Sequence, residues 1–145
     1  MYKHILLPTD GSEVSDRAVD AGIELAKALS ARVYGLHVIL PFHSLTYMTQ
    51  IIPQSETGYT EESVRWAERY LGEVRDRCQQ AGISCDSDYL IDKHPCDVIL
   101  RMAREKGCDL IVMGSHGWRG LTRLLLGSET QKVLVRSELP VLVCH

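Results

Sequence analysis

Short apolar runs alternate along the chain with segments whose apolar residues recur every three or four positions. Ile5-Leu6-Leu7 is closed by Pro8-Thr9-Asp10-Gly11, which reads as a buried strand entering a turn. Ser12 stands at a helix-cap position with Glu13 in the first turn, and Ala18, Gly22, Leu25, Ala26 and Leu29 follow at helical spacing. Arg32 to Leu40, rich in Val and Leu and stopped by Pro41, predicts a second strand. The clearest helix has Thr60 as its cap, Glu61 and Glu62 in its first turn, and Val64, Ala67, Leu71, Val74, Cys78 and Ala81 as its buried stripe. Glu61–Arg65 and Glu73–Arg77 are spaced as i,i+4 pairs on its wet face, and Gly82 ends it.

Ile83 to Ile91 predicts a third strand with a polar middle. Pro95 suits the first turn of a third helix that turns Val98, Ile99, Met102 and Ala103 inward and stops at Gly107. Leu110-Ile111-Val112-Met113 is the fourth strand, Ser128 opens a fourth helix, and Pro140 to Cys144 is the last strand. Five strands alternating with four helices predict a parallel α/β sheet covered on both faces, in one domain over residues 1–145. Two connections are long. Residues 41–59 mix polar and apolar positions, and a segment of this length carries a short helix of its own or a covering role. The other runs from Gly114 to Gly127.

Composition narrows the functions. The net charge of −3 excludes a nucleic-acid reader that works by overall basicity, but not a small anion held by a local cluster of donors. No apolar stretch reaches membrane-helix length and no leader is visible at Met1-Tyr2-Lys3-His4, so a soluble, cytoplasmic protein is expected. The five cysteines contain no Cys-x-x-Cys pair and no zinc spacing, which favours reduced, mostly buried thiols.

The second long connection carries the chemistry. Gly114 and Gly117 flank Ser115-His116, and nine residues then lead to Gly127-Ser128. Gly114 leaves a strand at its carboxyl end, where α/β folds bind ligands. Glycines let backbone N–H groups approach an anion, and the helix that begins at Ser128 points its positive end at the same place. Polyphosphate suits this arrangement. Simpler roles stand beside it: Gly114 as a strand-ending turn, and Ser128-x-x-Gln131 as a capping box. Glycines at fixed offsets between a buried strand and a capped helix favour phosphate binding.

Over essentially its whole length the chain resembles the universal stress proteins of the UspA-like type. The resemblance is carried by His4 to Ser12, by Cys108 to Gly117, and by Leu124-Leu125-Leu126-Gly127-Ser128 with the closing Pro140-Val141-Leu142-Val143. The ATP-binding branch of that family is marked by Gly-x2-Gly-x9-Gly-(Ser/Thr), which is matched without a gap. The resemblance implies a doubly wound, Rossmann-like sheet of strand order 3-2-1-4-5. Pro8-Thr9-Asp10 would then face Gly114-Ser115-His116-Gly117 across one cleft where the winding reverses.

It also implies roles for single residues. Asp10 would lie against the nucleoside and the metal-phosphate region; capping its own turn is the simpler alternative. The backbone of Val38 would meet adenine, although its side chain suits ordinary core. Met113, Gly114, His116 and Gly117 would wrap ribose and phosphates, with Gly127, Ser128, Glu129 and Thr130 at the helix start. A carboxylate at Glu129 repels phosphate unless it turns outward. Arg119 and Arg123 would screen phosphate charge or lie in solvent, and Trp118 is expected as a lid or interface residue. Lys93-His94-Pro95 departs from the glycine that many members carry before this proline. The ligand implied is ATP with Mg2+ or Mn2+, and the assembly is a homodimer through Val141, Leu142 and Val143 at an open sheet edge. The function implied is regulatory. Weak ATP hydrolysis and a nucleotide-free interaction protein are the alternatives, and no dedicated catalytic group or Walker motif is evident.

Overall fold

The computed structural model describes residues 1–46, 55–118 and 126–145. In chain order the elements are β1 (His4–Pro8), α1 (Glu13–Leu29), β2 (Arg32–Ile39), α2 (Phe42–Thr46), α3 (Glu56–Gln80), β3 (Cys85–Ile91), α4 (Pro95–Glu105), β4 (Leu110–Gly114), α5 (Ser128–Arg136) and β5 (Val141–Cys144). The strands form one parallel sheet of order β3-β2-β1-β4-β5, as expected.

Alternation along the central strands divides the core into two layers. Leu6, Tyr34, Leu36, Ile111 and Met113 point to one face and pack on Cys96, Val98, Ile99 and Met102 of α4 and Val133 of α5. Ile5, Leu7, Val33, Leu110 and Val112 point to the other and meet Val19, Ile23 and Ala26 of α1 with Val74 and Cys78 of α3. Being covered on both sides makes β1 and β4 continuous apolar runs. The polar middle of β3 follows from its place at the edge, where its residues alternate between half-buried and exposed.

Two local readings change. The long helix starts at Glu56, five residues before Glu61, because Ser55 provides the cap by accepting the Gly58 N–H at 3.1 Å; Thr60 lies inside the helix. The added turn carries Tyr59, whose hydroxyl donates to the Leu40 carbonyl at 2.6 Å. The segment after Pro41 carries the short helix α2, one of the two roles expected of a connection this long. Ser128 is not a cap: Gly127 takes that position in an extended conformation, and Gln131 Nε2 donates to the Leu126 carbonyl instead. Ser12 does cap α1, accepting from the Ser15 N–H at 3.3 Å.

Candidate functional site

The carboxyl ends of β1, β2 and β4 open onto a cleft of about 740 Å³. It lies where the order of winding reverses, with β1 between β2 and β4. Every residue singled out for ligand contact lines this one cleft: Pro8, Thr9, Asp10, Val38, Met113, Gly114, His116, Gly117, Gly127, Ser128, Glu129 and Thr130. Arg119 and Arg123 lie outside the described residues.

The turn after β1 satisfies its own polar groups. Asp10 Oδ1 accepts the Ser12 N–H at 2.9 Å, the local capping role open to it from the sequence. Thr9 Oγ1 accepts the Gly11 N–H at 3.1 Å and the Ser15 hydroxyl at 2.9 Å, while Ser15 Oγ takes the Asp10 N–H at 3.2 Å. Ser12 caps α1, its hydroxyl taking the Ser15 N–H and its carbonyl the Asp16 N–H at 2.8 Å.

Asp10 also reaches across the cleft. Its Oδ2 accepts the Trp118 backbone N–H at 3.2 Å, and its carbonyl accepts the indole N–H at 2.6 Å. Trp118 is therefore exposed yet tied at both ends of the residue. A Cβ on Gly117 would sit 2.1 Å from Asp10 Oδ2, so only glycine lets the β4 loop lie this close to the carboxylate.

The start of α5 differs from that of α1. No side chain caps it. Gly127 donates its own N–H to the Ser115 carbonyl at 2.7 Å, and a Cβ there would come within 3.0 Å of His116 Cα. The Gln131 N–H returns to the Gly127 carbonyl at 3.0 Å, which leaves the amides of Ser128, Glu129 and Thr130, three residues lining the cleft, without a partner inside the helix. Thr130 anchors this end by donating its hydroxyl to the Gly114 carbonyl at 2.8 Å. Glu129 is turned away from it: one oxygen accepts the Cys96 N–H at the start of α4 at 2.9 Å, and the other accepts from Lys132 Nζ at 3.0 Å.

The opposite wall comes from α3 and from a residue of β2 that the sequence reading passed over. Tyr59, Ser63, Trp66 and Tyr70 line the cleft at helical spacing, a second periodicity beside the core stripe of Val64, Ala67, Leu71 and Val74 that could have been read from the sequence. Trp66 stacks on Tyr70 with ring centroids 5.8 Å apart, and the Arg69 guanidinium lies 5.2 Å from the Trp66 ring. His37 meets Tyr70 edge-on at 5.4 Å and donates Nδ1–H to the Thr9 carbonyl at 2.7 Å. Burial holds the His37 imidazolium below its ordinary pKa, against the opposing pull of that hydrogen bond and of Asp10.

These features suit an anion at α5 and a planar group further along the cleft. They offer little to a free cation. Both Asp10 oxygens and both Glu129 oxygens already accept hydrogen bonds, and no group of three His, Cys, Asp or Glu gathers for a metal among the described residues. Nor is any helix among them long and apolar enough to cross a membrane.

Comparison with known proteins places the geometry. The profile of the Universal stress protein family matches residues 1–145. The chain belongs to the universal stress protein family. Universal stress protein MJ0531 of Methanocaldococcus jannaschii is 34% identical over 99% of this chain and 82% of its own length. Among solved universal stress protein structures, that of hypothetical protein MJ0577 superposes with a TM-score of 0.79 at 30% identity, covering 99% of this chain and 96% of the other. A universal stress protein in complex with cAMP superposes at 0.73 with 27% identity, covering 99% and 97%.

Proposed function

We propose that this universal stress protein binds an adenine nucleotide in the cleft and works as a nucleotide-dependent regulatory protein in the cytoplasm. One observation carries the reading: α5 begins at a glycine, without a capping side chain, facing a cleft that also receives Gly114, His116 and Gly117. Phosphate would take the first-turn amides around Ser128, Glu129 and Thr130, where the helix dipole favours negative charge. The base would lie towards Val38 and Pro8. A related universal stress protein solved with cAMP supports the ligand class.

ATP is the nucleotide we propose, because the amides of α5 from Ser128 onward and those of His116 and Gly117 would serve a chain of phosphates rather than one point, the Gly127 and Ser115 N–H groups being engaged within the protein. Mg2+ or Mn2+ would take its ligands mainly from the phosphates and water, since Asp10 and Glu129 are engaged elsewhere. The protein acts as a homodimer in this reading. Strand β5 stands at the sheet edge with Leu142 43% exposed, so Val141, Leu142 and Val143 offer an unpaired strand to a second copy.

Calorimetric titration of ligand-stripped protein tests the reading. Mg-ATP is expected to bind in the micromolar range, with AMP and cAMP weaker. No heat of binding from any of them at millimolar concentration would overturn it.

A further inference from the structure

At the end of the sheet away from the cleft, two cysteines share one layer of the core. Cys78 lies in the last turn of α3 and is wholly buried. The chain then doubles back: Ile83 donates its N–H to the Cys78 carbonyl at 2.9 Å, and the Ser84 carbonyl accepts the Val33 N–H at 2.9 Å. Cys85 opens β3 as the register partner of Val33, so the two side chains leave the sheet on the same side. That side is the α1–α3 layer, where Val33 and Cys78 belong to one cluster and the half-buried Cys85 packs against it. The Cys85 thiol donates to the Asp86 carbonyl at 3.5 Å, and the neighbourhood of the two thiols raises the pKa of Cys78 and lowers that of Cys85. Of the remaining cysteines, Cys96 and Cys108 lie in the opposite layer, and Cys144 packs on the same layer from β5, at the other edge of the sheet.

We propose that Cys78 and Cys85 form a dithiol that hydroperoxides oxidise to a disulfide, tying the end of α3 to the start of β3. The two residues are not equivalent. Cys85 is the reacting sulfur because it is half-exposed, while Cys78 is wholly buried; the Cys78 thiol and then the Arg75 charge favour its thiolate against burial and the Asp86 charge. Cys78 is the resolving sulfur, held as a thiol by its neighbour Cys85 and by burial. Thiolate attack on hydrogen peroxide breaks the O–O bond, leaving Cys85 as a sulfenic acid and releasing hydroxide. The Cys78 sulfur then displaces the sulfenic oxygen, which leaves as water with the Cys78 proton. Both thiols are oxidised, one peroxide is reduced, and no other reactant is needed.

Peptide mapping of the wild-type protein decides the matter, because it requires no variant to fold. Reduced protein is treated with hydrogen peroxide, quenched with N-ethylmaleimide in denaturant, and digested with trypsin. Cleavage after Arg77 and Lys93 leaves both cysteines in one peptide, residues 78–93. The expected product is that peptide two hydrogens lighter and free of maleimide, restored by dithiothreitol to a form that takes two maleimides. In Cys78→Ser, oxidation is expected to stop at a dimedone-reactive sulfenic acid on Cys85. In Cys85→Ser, thiol loss from this peptide is expected to slow by about tenfold or more. Maleimide on both cysteines after the other thiols have oxidised would overturn the proposal. So would a disulfide from either cysteine to Cys96, Cys108 or Cys144, or an undiminished rate in Cys85→Ser.

Discussion

Trp118 gives both of its N–H groups to Asp10, the amide to the carboxylate at 3.2 Å and the indole to the carbonyl at 2.6 Å. Two loops distant in sequence are thereby joined across the mouth of the cleft. The carboxylate spans both sides of the joint, since its other oxygen holds the Ser12 amide. On the proposed function, this contact sets where the Gly114–Gly117 amides stand when nucleotide arrives.

Trp118→Phe keeps the amide contact and removes the indole bond. A neutral hydrogen bond contributes about 1 kcal/mol, so Mg-ATP affinity is expected to fall by up to about fivefold. Titration calorimetry measures this directly. An unchanged affinity would mean that the carboxylate–amide contact places the loop alone.

At Gly117 the expected effect is larger. A methyl group there would overlap Asp10 Oδ2, so Gly117→Ala must displace the Asp10 carboxylate. The displaced carboxylate leaves amides of Ser12 and Trp118 without an acceptor, which costs about 1–3 kcal/mol. Nucleotide binding is expected to be lost while the far-ultraviolet circular dichroism stays native. Retention of both binding and unfolding midpoint would contradict the geometry.

The two serines beside helix starts should behave differently. Ser12→Ala removes a side-chain cap and is expected to lower stability by about 1 kcal/mol. Ser128 is the first helical residue rather than the cap, so Ser128→Ala should leave the urea midpoint almost unmoved. Equal losses in the two variants would restore Ser128 as a cap.

His4 makes stability depend on pH. It is buried beneath Tyr34, with Nδ1–H donating to the Lys106 carbonyl at 3.0 Å. Burial first, and then the Arg32 charge, hold its pKa below the ordinary 6.5, against that hydrogen bond and nearby carboxylates. The unfolded chain takes up the proton more readily than the folded one. The His4 contribution is therefore complete above the unfolded value and is lost as pH falls through the folded one, and His37 shifts in the same direction. Denaturant midpoints are expected to drop from about pH 7.5 to about pH 5.5, and to drop less in His4→Gln. A midpoint that rises over this interval would refute the sign.

Much of this architecture could be read from the chain because local and global signals agree in β1, β4 and their helices. Leu6 and Ile111 are apolar on one face and Ile5 and Val112 on the other, which only a strand covered twice requires. The glycine spacing located the cleft for the same reason: Gly117 and Gly127 stand where a side chain would collide. Helix starts were less legible. Ser55 and Thr60 are both acceptable caps, and the choice was made by Tyr59 finding the Leu40 carbonyl, a contact with no trace in local spacing. Trp118 and His37 escaped a full reading because their partners, Asp10 and Thr9, are far away in sequence.

Glu129 starts from one helix and ends the chain of donors of another, accepting the Cys96 amide while its own backbone belongs to α5. The two helices on that face thus share a hinge pin next to the cleft. β5 follows α5 after a few residues, so the helix that starts beside Gly127 is tied to α4 near its first turn and leads into the outer strand of the sheet from its last.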